Sequence, residues 1–186
     1  YNSNLKHSTS QSWDMQLIAK NTNSKKRIQK KGKKVKIGVL DSGVSPKYKK
    51  SHPNILPSSK NFVGRISENE KGRSEDINDR VGHGTQVLSQ LAGSNRNQGI
   101  IPNAKFNIYR IYSSDSVKSI WALKGIIQSA KNDDDILNIS SGKYLLISGK
   151  YKSGGNDKLE YEAWQRAINY ATNKGTLVVS SIGEEN

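Results

Sequence analysis

Residues 34–46 read KVKIGVLDSGVSP. The apolar run through Val35, Ile37, Val39 and Leu40 has the make-up of a buried strand. It ends on a lone acid, Asp41, and turns at once on Ser42-Gly43. A buried charge without a partner is costly, so an acid at the end of such a strand has a partner or a task. Three readings fit Asp-Ser-Gly. It can be half of an aspartic-protease site, where two carboxylates share a proton. It can be the acid that orients a histidine in a serine protease. It can be plain turn chemistry. The tripeptide alone leaves all three open.

Outward from this strand, the pattern alternates. Residues 42–82 are rich in loop formers, with a short strand predicted at 61–63. A helix is predicted over 84–93, stopping at Gly93, and a strand over 104–113 with Phe106, Ile108 and Ile111 pointing inward. The spacing of Val117, Ile120, Trp121, Ile127 and Ala130 predicts a helix over 116–131. A strand follows at 135–140. A second striped helix, through Ala163, Trp164, Ala167, Ile168 and Ala171, spans 159–172, and a last strand spans 176–182. Strands that alternate with helices imply crossover connections. The expected fold is therefore α/β, three layers, with a mostly parallel sheet between helices. Sites in such sheets form at the carboxyl ends of strands. Asp41, the run Ser140-Ser141-Gly142, and Gly183 all fall at such ends.

The chain has 186 residues and no cysteine, which excludes disulfides and thiolate metal sites. No apolar run approaches the ~20 residues of a membrane helix, so no transmembrane segment is expected. The net charge of +14 is unevenly spread. Residues 1–60 hold 14 Lys/Arg against two acids, Asp14 and Asp41; residues 61–186 hold 16 against 14. Residues 1–33 read as a basic polar lead-in, and residues 34–186 as the folded domain. Such a basic excess attracts an acidic partner. Aromatic interleaving and nucleic-acid motifs are absent, so nucleic acid is not the expected one. Asp133, Asp134 and Asp135 follow one another after a helix and read as a solvated turn rather than a metal cluster.

The segment DRVGHGTQVLSQLAG (79–93) narrows the choice for Asp41. His83 stands between two glycines at the mouth of a predicted helix, where close approach of backbone and substrate is open. His7 lies in the lead-in and His52 in a loop, and both read as surface residues. An acid closing one strand and a histidine opening the next predicted helix together fit the serine-protease reading far more specifically than either residue does alone. Nothing in the aspartic-protease reading needs the histidine.

Taken together, VKIGVLDSGVSPKYKKSHPNI, GHGTQVLSQLAG, GIIPNAKFNIYRI and ILNISSG resemble the subtilisin-like serine proteases in content and in order. Within that family the chain is most similar to the leader peptidases that mature lantibiotics, through WDMQ (13–16), NIYRIYSSDSVKSIW (107–121), NISSGKYLLISGKY (138–151) and AINYATNKGTLVVSS (167–181). The resemblance implies that Asp41 is the triad acid and His83 the general base. It implies that Ser140, Ser141 and Gly142 pair with the substrate backbone as an added strand. It implies a peptide substrate, and an acidic leader suits the basic lead-in. No cofactor and no metal is expected. Calcium is common in relatives, but the segment 94–98 offers no acid for it. A secreted or cell-surface location is favoured over a cytoplasmic one.

Two departures from the family stand out. The family nucleophile is a serine in a Gly-Thr-Ser context, and that tripeptide does not occur in the 186 residues. The expectation is a partial domain, preceded by further sequence before Tyr1 and inactive by itself. In the oxyanion region the family places an asparagine after the glycine, whereas Gly183 is followed by Glu184. A carboxylate cannot donate to a developing oxyanion and repels it. The alternative reading is a non-catalytic, peptide-binding degenerate protease fold.

Overall fold

The apolar run becomes β1 (Lys36–Asp41), with its last five residues buried. A computed structural model describes residues 32–52, 54–94, 99–114 and 116–181. The elements after β1 are α1 (Pro46–Ser51), β2 (Lys60–Asn61), α2 (His83–Ala92), β3 (Lys105–Arg110), α3 (Ser119–Lys131), β4 (Ile136–Ile139), α4 (Lys158–Asn173) and β5 (Leu177–Ser180). The sheet order is β2-β3-β1-β4-β5, and every pairing is parallel. β1 is therefore central, and its carboxyl end is level with Arg110 of β3 and just past Ile139 of β4.

Alternation along β1 divides the core in two. Ile37 and Val39 face one way and pack with Phe106, Ile108, and Leu88 and Ala92 of α2. Leu40 faces the other way and packs with Tyr109, Leu137, Trp121 and Ile126 of α3, and Ala167 and Ala171 of α4. Helices thus cover both faces, which gives the three layers of the expected fold class.

The sequence and the structure differ in several places, each for a physical reason. β3 does not alternate: Phe106 to Arg110 are all buried. With both faces of the sheet covered, a strand has no solvent side for its polar residues. On α3 the buried stripe is Trp121, Ala122, Gly125, Ile126, Ser129 and Ala130, while Val117 and Ile120 are exposed. Ile120, Leu123 and Ile127 line a groove against α4, and Leu123 and Ile127 also pack, half-buried, on the core. α1 is unpredicted. Its signals are Ser45, whose hydroxyl accepts from the Tyr48 N–H at 3.2 Å, and Pro46 at the first helical position. At the sheet edge, Leu177 and Val179 of β5 are exposed.

The acidic run 133–135 is a further correction. Asp134 is buried, not solvated. It accepts hydrogen bonds from Asn107 Nδ2 (2.6 Å), Tyr109 Oη (2.6 Å) and Ser129 Oγ (2.8 Å). Gly38 makes room for it, since a Cβ there would lie 2.8 Å from Asp134 Oδ2. Burial pushes the Asp134 carboxyl up, against the pull of the bonds from Tyr109, Asn107 and Ser129. A raised value in the fold means that folding favours the protonated form. This group's contribution is full below the ordinary value near ~3.9 and is lost as pH rises through the raised one. Asp134→Asn cannot titrate. The native chain should therefore lose stability relative to that variant as pH climbs from the acid side. Urea midpoints across the acid-to-neutral range check this, and a pH-independent difference contradicts it.

Candidate active site

The carboxyl end of β1 meets the first turn of α2. Asp41 is buried, with only 1% of its surface exposed, and His83 is the first residue of α2. His83 Nδ1 lies 2.8 Å from Asp41 Oδ1 and 3.0 Å from Oδ2. The Ser42 N–H donates to Asp41 Oδ1 at 2.7 Å, which fixes the carboxylate before the histidine meets it. The imidazole is half exposed, so its far edge faces solvent while Nδ1 is held by a buried acid.

Glycine makes this approach achievable. A Cβ on Gly84 would lie 2.4 Å from the Gly43 carbonyl oxygen and 3.2 Å from Asp41 Oδ1. The helix could not start against the Asp41 turn with any side chain there. Gly43 itself has φ 112°, in the left-handed region that favours glycine.

Ser140, Ser141 and Gly142 follow β4 directly, at the same sheet edge as Asp41. Asn138 Nδ2 donates to Ser140 Oγ at 2.7 Å. Space around Gly142 is open, with nothing within 4 Å of an added Cβ. The next residue, Lys143, reaches Glu160 of α4 at 2.7 and 2.9 Å and ties the segment to that helix. Among the described residues, no hydrogen bond joins this segment to Asp41 or His83. His52 lies away from the pair, its ring stacked on Tyr48 at 3.7 Å between centroids. Gly183, Glu184 and His7 lie outside the described residues, as do residues 95–98 of the segment considered for calcium. Among the described residues, no three His, Asp or Glu side chains gather as metal ligands do.

Two supports of the site go unread in the sequence. Arg110 is fully buried and stands directly opposite Asp41 in the β1–β3 register. It donates through Nε to the Ser42 carbonyl at 3.3 Å and grips Glu70 with both terminal nitrogens, one of them at 2.9 Å. Arg80 adds a contact to Glu70 at 3.3 Å. Asp79 is the second support. It binds the turn after Asp41 and the start of α2 at once. Its signal was present as an acid four residues before the histidine, but that spacing by itself reads as a turn.

A parallel α/β sheet that presents, at its carboxyl edge, an imidazole held by a buried carboxylate has the framework of an acid–base hydrolase. The chain belongs to the subtilase family, whose model matches residues 32–186. It is 35% identical over 182 residues to the nisin leader peptide-processing serine protease of Lactococcus lactis subsp. lactis, covering 93% of this chain and 26% of that protein. It is 35% identical over 178 residues to the epidermin leader peptide-processing serine protease of Staphylococcus epidermidis, covering 93% of this chain and 38% of that one. The crystal structure of the nisin leader peptidase superposes with a TM-score of 0.81 at 37% identity, over 92% of this chain and 49% of that chain. The chain thus spans well under half the length of these two curated relatives.

Proposed function

We propose that this chain carries the acid and base of a subtilisin-type serine endopeptidase that removes the leader from a lantibiotic precursor peptide. The observation that carries the reading is the 2.8 Å contact between Asp41 and His83, in a chain whose similar relatives process such leaders. With the proton on Nδ1 donated to Asp41, Nε2 is free to act as a base. It takes the proton of a serine hydroxyl as that oxygen attacks the scissile carbonyl. It then returns the proton to the leaving amine, and Asp41 stabilises the imidazolium in between. Ser140 to Gly142 serve as the edge on which the substrate backbone lies, pairing by main-chain hydrogen bonds.

Reading the encoding gene past the Asn186 codon for a Gly-Thr-Ser frame, expressing the product and mixing it with a leader-bearing precursor tests this. Cleavage at the leader boundary is the expected result. A folded product that binds the peptide and never cuts it would move the assignment to a peptide-binding degenerate fold.

The basic lead-in supports an acidic leader as substrate. Its field speeds encounter, and salt screens that field. Leader binding should therefore weaken as salt is raised, measured by titration at several ionic strengths; insensitivity to salt removes the electrostatic part. No helix among the described residues is long and apolar enough to cross a membrane. On the same resemblance we assign the enzyme to the cell surface or the medium. Fractionation of producing cells should find it there and not in the cytoplasm.

A further inference from the structure

We propose that Asp79 is a positioning residue for His83, acting through Ser42. The inference rests on the reading of Asp41 and His83 as an acid–base pair and adds a second carboxylate that holds the two in place.

The geometry is a clamp with two jaws. On the helix side, Asp79 Oδ1 accepts from the N–H groups of Val81 (3.0 Å) and Gly82 (2.7 Å). Oδ2 accepts from the Thr85 N–H (2.9 Å) and the Thr85 hydroxyl (2.6 Å). These bonds replace the missing cap of α2, because Gly82 precedes the helix with φ 97° and has no side chain to supply one. On the strand side, Ser42 Oγ donates to Asp79 Oδ1 at 2.9 Å and accepts from the Gly84 N–H at 2.8 Å. Ser42 is the residue whose own N–H holds Asp41. Thr85 Oγ1 closes a further link by accepting from the Ser45 N–H at 2.9 Å.

Five donors thus converge on one carboxylate. Burial pushes the Asp79 carboxyl up, but the bonds from Thr85, Gly82 and Ser42 outweigh it and hold the group below the ordinary carboxylate value. An anion at this point also suits the positive end of α2. A simple helix cap would need only the Val81, Gly82 and Thr85 contacts. The Ser42 bond does something a cap does not: it couples the turn that carries Asp41 to the turn that carries His83.

That distinction sets the experiment. A histidine Nδ1 proton held by a carboxylate gives a far-downfield proton NMR signal, and its exchange with water reports how well the bond is kept. The chain has three histidines, so the signal can be assigned to His83 by its loss in His83→Gln. Spectra are taken well below each variant's melting temperature. Ser42→Ala leaves the cap contacts of Asp79 intact and removes both bonds of the Ser42 hydroxyl, the one to Asp79 and the one from the Gly84 N–H. It should speed exchange of the His83 proton by roughly tenfold or more, the scale of a lost hydrogen bond to a charged group. Asp79→Asn should do at least as much, since its amide offers two donors to the Thr85 donors. An exchange rate in Ser42→Ala equal to that of the native chain overturns the proposal, even if Asp79→Asn fails to fold, because Asp79 is then only a cap. Asp41→Asn separates the two levels of inference. If the native signal is absent, or survives Asp41→Asn unchanged, the acid–base pair itself is wrong. If Asp41→Asn removes it and Ser42→Ala does not disturb it, only the role of Asp79 fails.

Discussion

His83→Ala in the active protease built on this chain should abolish leader cleavage, with kcat falling by about 10⁶-fold. That magnitude is the one measured in subtilisin, a member of the same family. The direction follows from the geometry. Asp41 is buried and offers its carboxylate to a single ring nitrogen at 2.8 Å, so the imidazole has one orientation and one free nitrogen. Without that nitrogen no group takes the hydroxyl proton, and the attack on the carbonyl must start from a neutral alcohol. Asp41→Asn should cost less, about 10⁴-fold, because the base remains but its tautomer is reversed. KM should move little in either variant, since substrate pairing is assigned to Ser140, Ser141 and Gly142. Steady-state rates on a leader-bearing peptide decide the matter. More than a tenth of native kcat in folded His83→Ala would remove the histidine from the chemistry.

Glu70→Ala is the stability counterpart. Arg110 is fully buried, and Glu70 takes both of its terminal nitrogens. Truncating Glu70 leaves a guanidinium in the interior with, among the described residues, only the Ser42 carbonyl at 3.3 Å and Asn61 Oδ1 at 3.5 Å as remaining acceptors. Breaking a buried pair on one side costs about 3–5 kcal/mol. In a domain of this size that lowers the melting temperature on the order of 10 °C. The pair as a whole is worth far less than its rupture, because both charges lost their hydration on burial. Replacing both residues, Glu70→Leu with Arg110→Met, should therefore recover most of the loss. Urea denaturation of the two variants tests both statements. A loss below about 1 kcal/mol in Glu70→Ala, the range of surface pairs, would show that water reaches Arg110. Because Arg110 also donates to the carbonyl of Ser42, the single variant should loosen the Asp41 turn, and the downfield His83 signal would weaken with it.

What could be read from the chain itself follows a simple division. Local rules located β1, β3, β4, β5 and the three long helices, since each depends on apolar spacing within one segment. The catalytic candidates Asp41 and His83 were legible because each ends or begins an element, where a polar residue has no structural reason to interrupt an apolar pattern. α1 was missed because its six residues include no buried one, so no apolar stripe marks it. The depth of Tyr109, Arg110 and Asp134 was missed for the opposite reason. Their chemistry says surface, and only the arrival of partners from distant segments reverses it.

Order along the sequence by itself determined that strands alternate with helices, that the sheet is parallel, and that an acid and a histidine fall at strand and helix ends on one side of it. Those are consequences of periodicity and of the crossover that parallel strands require. Only the tertiary structure decided which strands are neighbours, that Glu70 meets Arg110 across 40 residues, and that Asp79 reaches Ser42 across 37. A buried charge is tolerable only when its counterpart arrives from elsewhere in the chain, and no local pattern encodes where that counterpart will be.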